Sequence, residues 1–361
     1  MYIENSARLA VYAQGEFGKG SSKTAEGVLR YGTNPIACVI DASQSGKTIN
    51  EIVGIDCPAP IVGSIEAALA YKPQALLLGT AWSGGQLPQA WRADILSAIE
   101  NGMDIINGLH DFLEEDVEMA AAARKYGRRL FDVRKSPEKL PVASGRVMET
   151  KALVILTVGT DCSVGKMTAS LEIVRSAGKD GRDAAFVATG QTGIMICGEG
   201  IAIDRVIGDF MAGATEEMVV KAASRSNVVL VEGQGSLAHP GFSGVTLALL
   251  HGACPQGLIL CHNASRTKIK STNFAMPEIM PLIKTYESMA AYMRPAKVIA
   301  IAVNTRGLEE QEAKQYLQEL SARTGLPATD PVRFSADLLW QAIVQLESTM
   351  KQSQRSTCEH H

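Results

Sequence analysis

Absences narrow the field first. Aromatic residues make up 5% of the 361 positions, the formal net charge is −3, and lysine and arginine form no block. With neither a basic footprint nor a base-stacking platform, nucleic acid is not an expected partner. No run of about 18 apolar residues occurs. The opening MYIENSARLAVYAQ has no basic segment leading into a long apolar stretch. Neither membrane insertion nor secretion is therefore indicated, and the protein reads as cytoplasmic. The seven cysteines, Cys38, Cys57, Cys162, Cys197, Cys254, Cys261 and Cys358, include no C-x-x-C pair, and several sit in apolar runs such as IACVI and LILCH. They read as buried free thiols, and no metal site is expected.

The chain is long enough for two domains of ordinary size. Its first half alternates short apolar runs with helical patterns: ARLAVYA, TAEGVLRYG, PIACVID, SIEAALAYK, ALLLGT, AWRADILSAIENG, MDIING, EEDVEMAAAARKYG and RLFDV. That alternation predicts an α/β domain over 1–150 with a parallel, Rossmann-like sheet. The charged, proline-containing RKSPEKLPVASGRVMETK, 134–151, reads as the linker. A second α/β domain, 151–348, begins with the buried-strand run KALVILTVG, followed by MTASLEIVRSAGKDG with Met167, Leu171, Val174 and Ala177 at helical spacing. Residues 349–361 read as a flexible tail, and a symmetric dimer is the expected assembly.

Three glycine-lysine loops compete for a phosphate. A P-loop needs a strand, a ring of backbone N–H groups, a helix starting at the ring and a lysine reaching the anion. In DASQSGKTIN the position that should open the turn is Asp41, an anion, so Gly46 and Lys47 read as a plain turn. GEFGKG places Gly15, Gly18 and Gly20 after a strand with Asp41 ending the next, a loose and spacing-inverted version of a dinucleotide fingerprint. GTDCSVGKMT meets every requirement. Its residues Gly159, Thr160, Asp161, Cys162, Ser163, Val164, Gly165, Lys166, Met167 and Thr168 are the expected phosphate cradle. The loop resembles the G-T-D-x-x-V-G-K loop of dethiobiotin synthetases, whose lysine is followed by a Mg²⁺-binding threonine. Here Met167 stands in that place and Thr168 comes one step later, about 100° round the helix. Phosphate binding without phosphoryl transfer would tolerate that change.

Further candidates cluster at strand ends, where open α/β sheets bind ligands. Glu232 ends NVVLVEG and reads as a general base or a Mg²⁺ ligand. His239 in SLAHPGFSG is the rival acid or base. Gln191 and Thr192, in a glycine-flanked turn, are expected to line the phosphate crevice. Arg205 and Arg266, with Arg294 and Arg306, are candidates to fork onto a carboxylate. His262 reads as a core residue and Asn304 as a base or ribose contact. In the first half, Trp82, Gly84, Gly85 and His110 are candidates for a ligand-facing wall.

GTAWSGGQLP, NGLHDFL, GTDCSVGKMTA, ATGQTGI and VEGQGSL, in this order, resemble a bacterial and archaeal family long filed as of unknown function, along the chain to about residue 348. In that family a Rossmann-like domain precedes a P-loop domain, and members with an assigned activity are D-glutamate N-acetyltransferases using acetyl-CoA. The resemblance thus implies acetyl-CoA as cosubstrate, its phosphates on the 159–168 loop, Glu232 or His239 as base, and arginines on a small amino-acid substrate. The alternatives are a Mg²⁺ and ATP-dependent ligase or kinase of the dethiobiotin synthetase type and a nucleotide-binding regulator.

Overall fold

The computed structural model describes residues 4–81 and 85–358, without the side chains of 353–358. It divides into two compact units, 1–136 with 190–205, and 137–189 with 206–361.

In the first unit the apolar runs become parallel strands β1 (Leu9–Tyr12), β2 (Ile36–Ile40), β3 (Ile61–Val62), β4 (Ala75–Leu78), β5 (Asp104–Asn107) and β6 (Leu130–Asp132). Their order is β3-β2-β1-β4-β5-β6, so the chain reverses direction across the sheet between β1 and β4. β1 and β4 are buried along their whole length, as a sheet covered on both faces requires. Local chemistry sets the helix ends. Asp116 caps Val117–Tyr126 by accepting from the N–H groups of Glu118 and Met119, and Gly127 closes it at φ 64°. Arg92 holds the Asp116 carboxyl down at about 2 through paired hydrogen bonds. The loose dinucleotide fingerprint has a structural job. Asp41 is buried and accepts from the Phe17 N–H at 2.9 Å and from the Ser43 N–H and hydroxyl, tying the first glycine turn to the end of β2. Residues 42–47 form a turn, with Lys47 on Gln44.

The second unit holds β7 (Leu153–Gly159), β8 (Ala184–Val187), β9 (Val228–Val231), β10 (Gly257–Asn263), β11 (Lys297–Asn304) and β12 (Ala328–Thr329). They are parallel in the order β12-β11-β10-β7-β9-β8. β7 lies between β10 and β9, paired Leu260↔Val158 and Leu156↔Val231, so the loop leaving β7 is flanked by the ends of both neighbours.

The division expected near residue 150 falls instead at 136, and 190–205 returns to the first unit. The reason for the first difference is Glu216, a buried carboxylate on the helix Gly208–Ala223. It accepts from the N–H groups of Ser144, Gly145 and Arg146, from the Ser144 hydroxyl and from Arg146 Nε. Burial pushes the Glu216 pKa up, but these donors, Arg146 foremost, leave it below its usual value. A buried carboxylate is tolerated only when so satisfied. Gly213 completes the seat, since a Cβ there would lie 1.9 Å from the Pro141 carbonyl oxygen. The expected linker is therefore packed structure from residue 137. The expected flexible tail is also helical through Cys358: Asp337–Cys358 is one helix, and Trp340, Ile343, Leu346 and Met350 give it an apolar stripe on the second core.

Candidate functional site

β7 delivers Gly159 to the carboxyl edge of the second sheet. The chain then wraps through 160–165 into the helix Lys166–Lys179. The turn needs left-handed backbone at Ser163, φ 53°, and at Gly165, φ 105°. Gly159 has no room for a side chain, because a Cβ would meet the Asp161 carbonyl oxygen and Lys166 Nζ, both at 2.8 Å. Lys166 is buried and arches back to donate to that carbonyl at 2.8 Å. Burial pulls its pKa down. Gly165 supplies no side-chain cap, so the first N–H groups of this 14-residue helix point at the ring unengaged by the helix itself.

The ring is braced from three sides. Asp161, fully buried, accepts from the Cys162 N–H at 2.6 Å, from Arg266 Nη1 at 2.7 Å and from the Lys270 N–H at 2.7 Å. Arg266 also donates to the Cys162 carbonyl, and Lys270 Nζ reaches the Ser163 hydroxyl at 3.1 Å. Thr160 Oγ1 meets His262 Nδ1 at 3.0 Å, and His262 Nε2 meets the Tyr316 hydroxyl at 2.8 Å. Burial holds His262 down at about 4. Tyr286 donates to the Gly159 carbonyl at 2.8 Å and accepts from the Leu237 N–H; burial pushes it up to about 12.

At the end of β9, Glu232 Oε2 accepts from the Thr189 N–H at 3.0 Å, and Thr189 returns its hydroxyl to the Glu232 carbonyl at 2.6 Å. Lys166 feels the Glu232 charge. Gly233 is mandatory beside it: a Cβ would fall 1.7 Å from the Thr157 carbonyl oxygen. His239 is buried, and both ring nitrogens are engaged. Nδ1 accepts from the Gly241 N–H at 3.1 Å, so Nε2 carries the proton and donates to the Lys270 carbonyl at 3.1 Å. An apolar pocket of about 380 Å³, lined by Leu237, Ala238, His239, Ile269, Phe274 and Pro277, opens beside this brace.

Asp161, Cys162 and His239 bring an oxygen, a sulfur and a nitrogen within 4.8 Å of one another, a grouping with metal-ligand chemistry. In this fold the carboxylate and the imidazole already serve loop donors and acceptors. Burial pushes the Cys162 thiol up.

The structure thus brings Gly159 to Thr168, Glu232, His239 and Arg266 into one neighbourhood of the second unit. Arg266, a candidate for substrate carboxylate, is engaged in holding the loop. Gln191 and Thr192, expected in the phosphate crevice, open the helix Gln191–Cys197 in the first unit, where the Thr192 hydroxyl bonds that of Thr24 at 2.8 Å. The sequence GQTGIMIC continues as helix rather than turn, because its apolar residues pack inside that unit. Arg205 also belongs to the first unit. Arg294 donates to the Cys254 carbonyl, and Asn304 accepts from the Arg306 N–H in a local turn. His262, read as core, is buried yet polar-bonded. Trp82 and Gly84 lie outside the described residues. Thr189, Lys270 and Tyr286 were not legible as site residues: each acts through a contact far along the chain, and no local motif marks them.

Two parallel-sheet units, one Rossmann-like and one with a P-loop, define the class of protein. Family models match both: residues 42–136 fit a Rossmann-like domain of unknown function, DUF1611_N, and residues 141–340 fit the P-loop domain DUF1611_C. The chain belongs to the DUF1611 family. It is 40% identical over 282 residues to a D-glutamate N-acetyltransferase of Tritonibacter scottomollicae, covering 78% of this chain and 84% of that one. It is 38% identical over 303 residues to one of Pseudoalteromonas sp., covering 83% and 88%. The crystal structure of a DUF1611 family protein from Anabaena variabilis matches with a TM-score of 0.90 at 40% identity, over 94% of this chain and 100% of that one.

Proposed function

We propose that the protein is an amino-acid N-acetyltransferase that moves the acetyl group of acetyl-CoA to the amine of D-glutamate, with the 159–168 loop holding phosphates of the donor. The observation that carries the activity is the likeness to two relatives of that name over most of the chain. The loop supports the donor assignment. A helix N-terminus with Lys166, and with Lys270 and Arg266 at its rim, suits a pyrophosphate or ribose phosphate. Met167 leaves no hydroxyl directly after the lysine for Mg²⁺, so charge is met by the protein alone. The apolar pocket beside the brace suits an uncharged arm.

In this pose Lys166 and Glu232 both stand at the phosphate end of the ligand. Glu232 then balances the buried lysine and holds Thr189, while the thioester lies a full pantetheine arm away. The His239 lone pair is engaged with Gly241, so this histidine shapes the loop and the pocket wall. The test is thiol release from acetyl-CoA with D-glutamate, L-glutamate or no acceptor. Release that depends on D-glutamate is expected. Mg²⁺-dependent ADP formation from ATP with no thiol released would replace this reading with the ligase or kinase one, which Glu232 beside Lys166 favours.

A further inference from the structure

We propose that the acceptor amino acid is bound by the first unit, with a carboxylate on Arg205 and the amine donating to the His110 ring; this rests on the acetyltransferase reading above. Elimination points there. Of the four described histidines, His239 and His262 have both ring nitrogens engaged and His251 donates through Nε2 to the Met289 carbonyl. The His110 ring has no hydrogen-bond partner among the described residues, and only its backbone N–H is used, toward the Gly85 carbonyl at 2.8 Å. Arg205 stands out in the same way. Arg266 and Arg294 are engaged, whereas the Arg205 guanidinium has no carboxylate partner among the described residues and lies over the Phe112 ring, 4.9 Å from its centroid. Phe112 is two residues from His110, so one short segment, NGLHDF, presents the imidazole and seats the guanidinium.

The surroundings are built around this pair. Gly85, at φ 50°, has no Cβ where one would lie 2.3 Å from His110 Cδ2, so the glycine of GGQLP makes room for the ring. Arg134 donates from Nε to the Gly108 carbonyl at 2.8 Å and pairs with Asp204, closing the neighbouring cation off from a ligand. Asp111 accepts from the Leu87 N–H. The charged groups that act on His110 are Arg134, Asp204, Arg205 and Asp111, and burial first, then Arg134, lowers its pKa, which keeps the ring neutral and able to accept a hydrogen bond at neutral pH. Two buried polar atoms of the same unit, Thr80 Oγ1 and Gln191 Oε1, have no hydrogen-bond partner among the described residues, and Gln191 packs on Gly108, two residues before His110.

The test uses the full-length chain. Arg205→Gln should raise the D-glutamate KM about ten- to a hundredfold while the acetyl-CoA KM stays within about twofold. Arg205→Lys, which keeps the charge and loses the fork, should fall between. His110→Gln should likewise raise the D-glutamate KM, about three- to tenfold, with the acetyl-CoA KM within about twofold. Direct D-glutamate binding to the wild-type chain and to Arg205→Gln separates the two readings. Binding lost in the variant upholds the site even if no thiol is released, in which case the acetyltransferase reading alone falls. Wild-type binding and kinetics in folded Arg205→Gln and His110→Gln would overturn the inference.

Discussion

Lys166 and Lys47 show how much a single residue's context decides. Both follow a glycine in a loop after a strand, yet only Lys166 is buried over a ring closed by Gly159 and Gly165, while Lys47 reaches no further than Gln44. Lys166→Ala should raise the acetyl-CoA KM by the loss of one charge-assisted contact, about 1.5–3 kcal/mol. Lys47→Ala should leave it within about twofold. Initial rates against acetyl-CoA measure both, and the reverse pattern would transfer the phosphate to the 41–50 turn. Steric necessity is as local. At Gly233 the clash of an added Cβ is with the Thr157 carbonyl, which cannot swing aside, so Gly233→Ala should distort the β7–β9 edge and lower the melting temperature as well as activity. The sequence made Gly159, Gly165 and Lys166 readable because their spacing is the mechanism. It left Arg266 ambiguous, since an arginine bracing a loop and one gripping a substrate have the same letter.

At the level of elements, the loop owes its shape to segments distant in sequence: Arg266 and Lys270 after β10, His262 on β10, Tyr286 on the helix Ile279–Ala291. Strand and helix identities followed from apolar runs and 3.6-residue spacing, but these cross-links were invisible because nothing periodic encodes them. His262 gives the brace a pH dependence. Its folded pKa, about 4, lies below the ordinary 6.5, so the folded state holds the ring neutral where the unfolded chain would protonate it. Its contribution is therefore complete above about pH 6.5 and is lost as pH falls toward 4, a change of roughly 3 kcal/mol by linkage. Denaturant unfolding at a series of pH values should show that loss, and His262→Gln should flatten it; an unchanged acid slope in the variant would assign the loss to other groups.

For the whole molecule, the alternation of apolar runs made two α/β units legible, but their boundaries were not. A stretch rich in proline and charge reads as a linker until a buried acid on a distant helix, Glu216, is seen collecting its N–H groups, and 190–205 gives no sign in its letters that it packs with the first unit. Ligand effects on the full chain should follow these units rather than the sequence halves. Hydrogen exchange with CoA should protect 159–168, 232–239 and 264–270, and D-glutamate should protect 108–112 and 203–205, since a ligand slows opening most where it binds. Metal separates the remaining readings at the same scale. If Met167 removes the Mg²⁺ hydroxyl and the ligand is acetyl-CoA, both the protection by CoA and the acetyl transfer should survive excess EDTA, whereas phosphoryl transfer relies on the metal to neutralise its transition state and should stop. Met167→Thr, which restores the hydroxyl, should gain Mg²⁺–ATP affinity without gaining acetyl transfer. An unmodified protein whose thiol release collapses in EDTA and returns with Mg²⁺ would mean that the loop works with a metal despite Met167, and the charge argument made from that residue would fall with it.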